Sequence, residues 1–78
     1  RSMTLDELQS GQTARIVGMD GDGPVLQRLM AMGLLEGSIV RLIRKALGGD
    51  PIEIEVMDYA LSLRRSEAQR VRITVDHD

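Results

Sequence analysis

Alternating apolar and polar residues in five short segments, tight turns joining the last four, and one helical stretch inserted after the first predict a mainly β fold. A set of five short strands is too small for a sandwich of any size. It can instead close into a strongly bent barrel, which removes the exposed edges that invite aggregation. At 78 residues the chain forms one domain, and such a chain buries only about 60% of the surface that its unfolded form exposes. It has no cysteine, phenylalanine or tryptophan and a single tyrosine, so the core must be built from Leu, Ile, Val and Met.

The segment Thr4-Leu5-Asp6-Glu7-Leu8 carries a capping box and predicts one helical turn ended by Ser10-Gly11. Residues 12–18 form the first strand, with Ala14 and Ile16 on one face and Thr13, Arg15 and Val17 on the other. Residues 18–23, rich in Gly and Asp, are a loop. Pro24 then suits the first position of a helix over 25–32, and Gly33 suits its left-handed C-terminal cap. On a helical wheel Met32, Val25, Leu29, Leu26 and Met30 cover an apolar arc of about 160°, wider than a two-turn helix needs to pack on a small barrel.

Gly37 closes the turn that follows, and residues 38–47 are the longest strand segment. Apolar residues at Ile39, Val40, Leu42 and Ile43 break strict alternation there, which predicts a bulge or partial cover on both faces. Gly48-Gly49-Asp50 reads as a hairpin turn, with Pro51 leading the next strand, where its missing N–H does least harm. Ile52, Ile54 and Val56 then alternate with Glu53, Glu55 and Met57, and Asp58-Tyr59 is the next turn. Residues 60–64 point Leu61 and Leu63 inward. Ser66 caps a single turn over 66–69, and Val71, Ile73 and Val75 form the last strand. The assembled expectation is a five-stranded SH3-like barrel with one short α-helix inserted after the first strand.

Chemistry is largely absent from the pattern. Nucleophilic catalysis needs a Ser, Thr or Cys beside a base, and the only histidine, His77, is the penultimate residue. No catalytic residue, metal site or cofactor is therefore expected. Asp76-His77-Asp78 on an extended tail cannot close a metal shell alone. Asp20 and Asp22 fail the calcium-loop pattern, because the twelfth position is Ala31 and Pro24 starts a helix within the loop. The glycines before Pro24 lack the Lys-Ser or Lys-Thr of a phosphate loop. Net charge is −2, without the basic excess and aromatic interleaving of nucleic-acid binders, although Arg64, Arg65, Arg70 and Arg72 lie close in sequence. No run approaches a membrane span and no signal peptide precedes Met3; Arg1-Ser2 reads as a cloning remnant, so that Met3 is the expected start of a free-standing domain over 3–75 with a tail at 76–78. What remains is surface: the wide arc leaves Leu26 and Met30 near one edge of the helix, and Met32 and Leu34 toward its end, as candidate partner-binding residues.

Leu8, Gly11, the run Arg28-Leu29-Met30-Ala31-Met32-Gly33-Leu34-Leu35-Glu36-Gly37, the turn Gly49-Asp50-Pro51-Ile52 and the stretch Leu61-Ser62-Leu63-Arg64-Arg65-Ser66-Glu67-Ala68 resemble the ferrous-iron transport protein A (FeoA) family. The resemblance spans residues 3–75 in order and spacing. It implies the same SH3-like barrel, with Gly33, Gly37, Gly49, Asp50 and Pro51 as structural motif positions, and it adds Arg28 of the helix motif to the candidate partner-binding residues. It also implies a cytoplasmic accessory protein of bacterial ferrous-iron uptake that binds the cytosolic domain of the GTP-binding permease FeoB, meets the membrane only through that partner, and leaves self-association open. The alternative within the same fold is the C-terminal SH3-like domain of an iron-dependent, DtxR-type repressor, which would follow a helix-turn-helix and a dimerisation domain.

Overall fold

The computed structural model describes residues 3–75. The expectations for Arg1-Ser2 and for Asp76-His77-Asp78 lie outside these residues. In chain order the elements are β1 (Met3–Thr4), a 3₁₀ turn (Leu5–Glu7), β2 (Thr13–Met19), α1 (Gly23–Ala31), β3 (Ile39–Lys45), a second 3₁₀ turn (Leu47–Gly49), β4 (Ile52–Val56), β5 (Tyr59–Leu63), α2 (Arg65–Ala68) and β6 (Val71–Val75). The strands form one antiparallel sheet in the order β1-β6-β2-β3-β4-β5. The structure thus adds a two-residue strand, β1, to the five expected. It is too short to show any alternation in sequence, and it exists because its backbone pairs with β6 at Ile73 and Arg72.

Two bulges bend the sheet. One interrupts the β2–β6 ladder between Ile16 and Gly18, and the other the β3–β4 ladder between Leu42 and Arg44, where the broken alternation predicts it. Alternation sends one set of side chains inward: Ala14 and Ile16 from β2, Val40 and Leu42 from β3, Ile52, Ile54 and Val56 from β4, Leu63 from β5, and Val71 and Ile73 from β6. Leu5 and Leu8 from the first turn, Leu29 from α1, Leu34 from the following loop and Ala68 from α2 complete this aliphatic core. No polar or charged side chain is buried among the described residues. Nothing inside therefore needs a compensating hydrogen bond.

The helix starts and stops have local causes. The Glu7 carboxylate accepts from the Thr4 N–H at 2.8 Å, while the Thr4 hydroxyl turns toward the Asp6 carboxylate. Lys45 Nζ donates to the Asp6 carbonyl at 2.7 Å and ties this turn to the end of β3. Pro24 occupies the second position of α1, since the helix begins at Gly23. α2 starts ahead of the expected Ser66 cap. Glu67 accepts from the Arg64 N–H at 2.8 Å and Asp50 from the Arg65 N–H at 3.1 Å, so two carboxylates satisfy donors that Ser66 would leave open. Asp50 also precedes a cis peptide to Pro51, and the expected Gly48-Gly49 hairpin is the end of the second 3₁₀ turn. The β4–β5 turn is Met57-Asp58 rather than Asp58-Tyr59, because Tyr59 pairs with Val56.

Leu29 is fully buried, whereas Leu47 stands wholly in solvent. Leu29→Ala should therefore cost about 2–5 kcal/mol of unfolding free energy, and Leu47→Ala no more than about 0.5 kcal/mol, both read from urea unfolding midpoints.

Candidate partner-binding surface

The wide apolar arc of α1 divides when the helix packs. Leu29 is in the core, Val25 and Met32 pack against it while half-buried, Leu26 is half-buried, and Met30 is 46% exposed. Leu34 does not belong to the surface. It has no exposed area, because its N–H donates to the Leu29 carbonyl at 3.1 Å and folds the chain back under the helix. That removes Leu34 from the expected partner-binding set. Arg28 is exposed, and its guanidinium pairs with the Glu67 carboxylate, joining α1 to α2.

The end of α1 is fixed by Gly33. Its φ of +96° is a left-handed cap, and its N–H donates to the Met30 carbonyl at 3.0 Å. The Tyr59 hydroxyl lies against the position a Cβ would occupy and donates to the Met32 carbonyl. Gly37 and Gly49 also have positive φ, as expected of their turns.

Strand register gathers further apolar residues at the same end. Arg15 pairs with Ile39, Ile16 bonds Gly37 and Ser38, and Val40 pairs with Val56, so the middle of β2, the start of β3 and the β4–β5 turn lie together. Val17, Leu35, Ile39, Met57 and Tyr59 are exposed on or next to these segments, and Met30 is exposed on the last turn of α1, where the Tyr59 hydroxyl reaches the Met32 carbonyl. Ile39 and Met57 line a shallow groove with Thr13, Val40, Arg41 and Glu55. Ion pairs on the surface join Arg41 to Glu55 at 3.1 Å between β3 and β4, Arg72 to Asp20 at 3.0 Å, and Arg28 of α1 to Glu67 of α2. Exposed apolar side chains gathered in one region are what the centre of a protein-binding face requires.

Met57 points the same way. It is 72% exposed and is the non-glycine residue with positive φ, at +57°, among the described residues. A glycine would take that conformation without strain. A large apolar side chain held there gains no burial inside the fold. The two-residue turn between β4 and β5 asks for a left-handed residue at its first position, and Met57, which fills it, is left exposed there.

Met30 and Met32 carry a sequence signal, as parts of an over-wide helical arc. Val17 and Met57 read simply as outward strand positions, Ile39 as part of a run that breaks alternation, and Leu35 and Tyr59 as turn residues. Only the sheet register brings these five together. No group of three or more Asp, Glu, His or Cys side chains able to hold a metal occurs among the described residues.

Barrel, bulges and inserted helix define a small SH3-like domain that presents one apolar end. The chain belongs to the FeoA domain family, whose pattern it matches over residues 3–75. It is 35% identical over 71 residues to an Fe(2+) transport protein A/Fe(2+) transporter FeoB fusion protein of Porphyromonas gingivalis, covering 91% of this chain but only 8% of that protein. It is 29% identical over 73 residues to a putative Fe(2+) transport protein A of Campylobacter jejuni, covering 94% and 99% of the two chains. Among solved structures, FeoA of Stenotrophomonas maltophilia complexed with zinc, described as a prokaryotic SH3 domain protein, superposes with a TM-score of 0.79 at 33% identity, covering 95% of this chain and 89% of that one. A manganese-dependent transcriptional repressor shares the fold alone, at a TM-score of 0.87 and 15% identity over 36% of its chain.

Met57→Gly should raise stability by about 0.5–1 kcal/mol in urea unfolding, since it relieves the left-handed strain and removes no core contact.

Proposed function

We propose that this protein is an accessory factor of ferrous-iron uptake that acts by docking its apolar end, together with Leu26, Met30 and Met32 of α1, on the cytosolic domain of a FeoB-type GTP-binding permease. The observation that carries the reading is the exposed set Met30, Leu35, Ile39, Met57 and Tyr59 on a barrel whose core is already complete. A monomeric domain of this size has no internal use for such a set. The fusion protein of Porphyromonas gingivalis supports the choice of partner, because the two activities are joined there in one chain.

On this reading the protein performs no catalysis. Its contribution is binding energy directed at one conformation of the permease, which shifts the equilibrium between permease states only by the difference in affinity for them. On this reading contact with the bilayer is through the partner; among the described residues no helix is long and apolar enough to cross a membrane. The repressor-domain alternative rests on the shared barrel. It predicts an apolar end that packs within one polypeptide rather than against a permease.

Met30→Asp and Met57→Asp should each weaken binding to the purified permease GTPase domain by about tenfold or more, with circular dichroism unchanged. Leu26→Asp should weaken binding with a modest loss of stability, since Leu26 is half-buried. Binding that is indifferent to both methionine variants would exclude this face as the contact.

A further inference from the structure

The sheet has two free edges, and they are managed differently. β1 is two residues long, which blunts it. β5 has five residues, Tyr59-Ala60-Leu61-Ser62-Leu63, and carries no charge, proline or bulge. Its pairing with β4 runs through the two-residue Met57-Asp58 turn, so Tyr59, Leu61 and Leu63 exchange hydrogen bonds with Val56, Ile54 and Ile52. Ala60 and Ser62 therefore direct their N–H and C=O groups away from β4. Both are exposed, and no backbone or side-chain group within the described chain bonds them on that side.

We infer that two copies of this chain associate by antiparallel pairing of β5 with β5 about a two-fold axis through Leu61, joining their sheets. The register follows from chemistry on the strand. Centring on Leu61 sets Ala60 opposite Ser62 of the second copy, twice over, so all four open N–H groups meet carbonyls. The small Ala60 and Ser62 side chains oppose each other without crowding, and Leu61 meets its own symmetry mate. The same register sets Asp58 of each copy opposite Arg64 of the other, two opposite-charge pairs related by the axis. Both residues are exposed, and neither has an ion-pair partner inside the chain among the described residues. A register shifted by two residues in either direction loses both hydrogen-bond closure and charge complementarity.

Five paired residues extend over about 17 Å, and the area covered falls short of the roughly 1,200 Å² of a standing interface. The dimer is therefore weak and reversible. It adjoins the apolar end at Tyr59 but is made by the open backbone of Ala60 and Ser62 and by Asp58 and Arg64, which the proposed permease contact does not use, so it is tested independently of that reading.

Sedimentation velocity of the full chain between about 20 µM and 2 mM should show a monomer–dimer shift, and amide resonances of Ala60 and Ser62 should move with concentration. Ser62→Pro removes one edge donor that faces away from β4 and should weaken association by about tenfold. Asp58→Arg should weaken it similarly, and Asp58→Arg with Arg64→Asp should restore it to within about threefold. Met30→Asp should leave it unchanged. Should Ser62→Pro fail to fold, the Asp58 and Arg64 series decides alone. A sedimentation coefficient independent of concentration overturns the inference, as does a dimer that ignores the charge swap. A monomer whose Ala60 and Ser62 amides shift only when the permease domain is added also overturns it, by giving the edge to another strand.

Discussion

The structure depends on how the end of α1 is held to the barrel. Gly33 turns the chain in a left-handed cap, Leu34 drops into the core under Leu29, and the Tyr59 hydroxyl takes the Met32 carbonyl across to the first residue of β5. Each part requires the others. A side chain at position 33 would meet the Tyr59 hydroxyl, and without the tight cap Leu34 could not reach the interior. Arg28 and Glu67 hold the same helix to α2. An insertion of nine helical residues between two strands could have been a mobile excursion. Anchored at these points, it becomes one wall of the domain.

That anchoring also decides what is left outside. The core takes Leu29 and Leu34 from this region and is then full, with no polar side chain to satisfy among the described residues. The apolar residues that remain at the helix end and on the adjoining turns have no place inside. The exposed apolar surface is thus a remainder defined by packing, and its outline follows the bulges and register of the sheet.

The barrel was legible because alternation reports directly which face of a strand is buried, and Ile52-Glu53-Ile54-Glu55-Val56 or Val71-Arg72-Ile73 allow one reading each. The bulge in β3 showed as a break in that alternation. β1 left no trace, since two residues have no period. The start of α2 was masked because its caps come from Glu67 and Asp50, through tertiary and backward contacts rather than through a local Ser. The surface was half legible. Met30 stood out on a helical wheel, but Leu34 looked the same as its exposed neighbours, since a wheel ends where the helix does. Ile39 and Met57 are 18 positions apart, and only the pairing of Val40 with Val56 brings them together.

A single tyrosine, with no tryptophan or phenylalanine, has a practical consequence. Tyr59 lies at the apolar end and at the head of β5, with its hydroxyl on the Met32 carbonyl. All near-ultraviolet absorption and intrinsic emission of the folded chain come from this one ring. The protein thus carries a built-in optical probe at the seam between helix and sheet. A change in its emission intensity or lifetime reports an event at that seam, without a label and without contribution from the aliphatic interior.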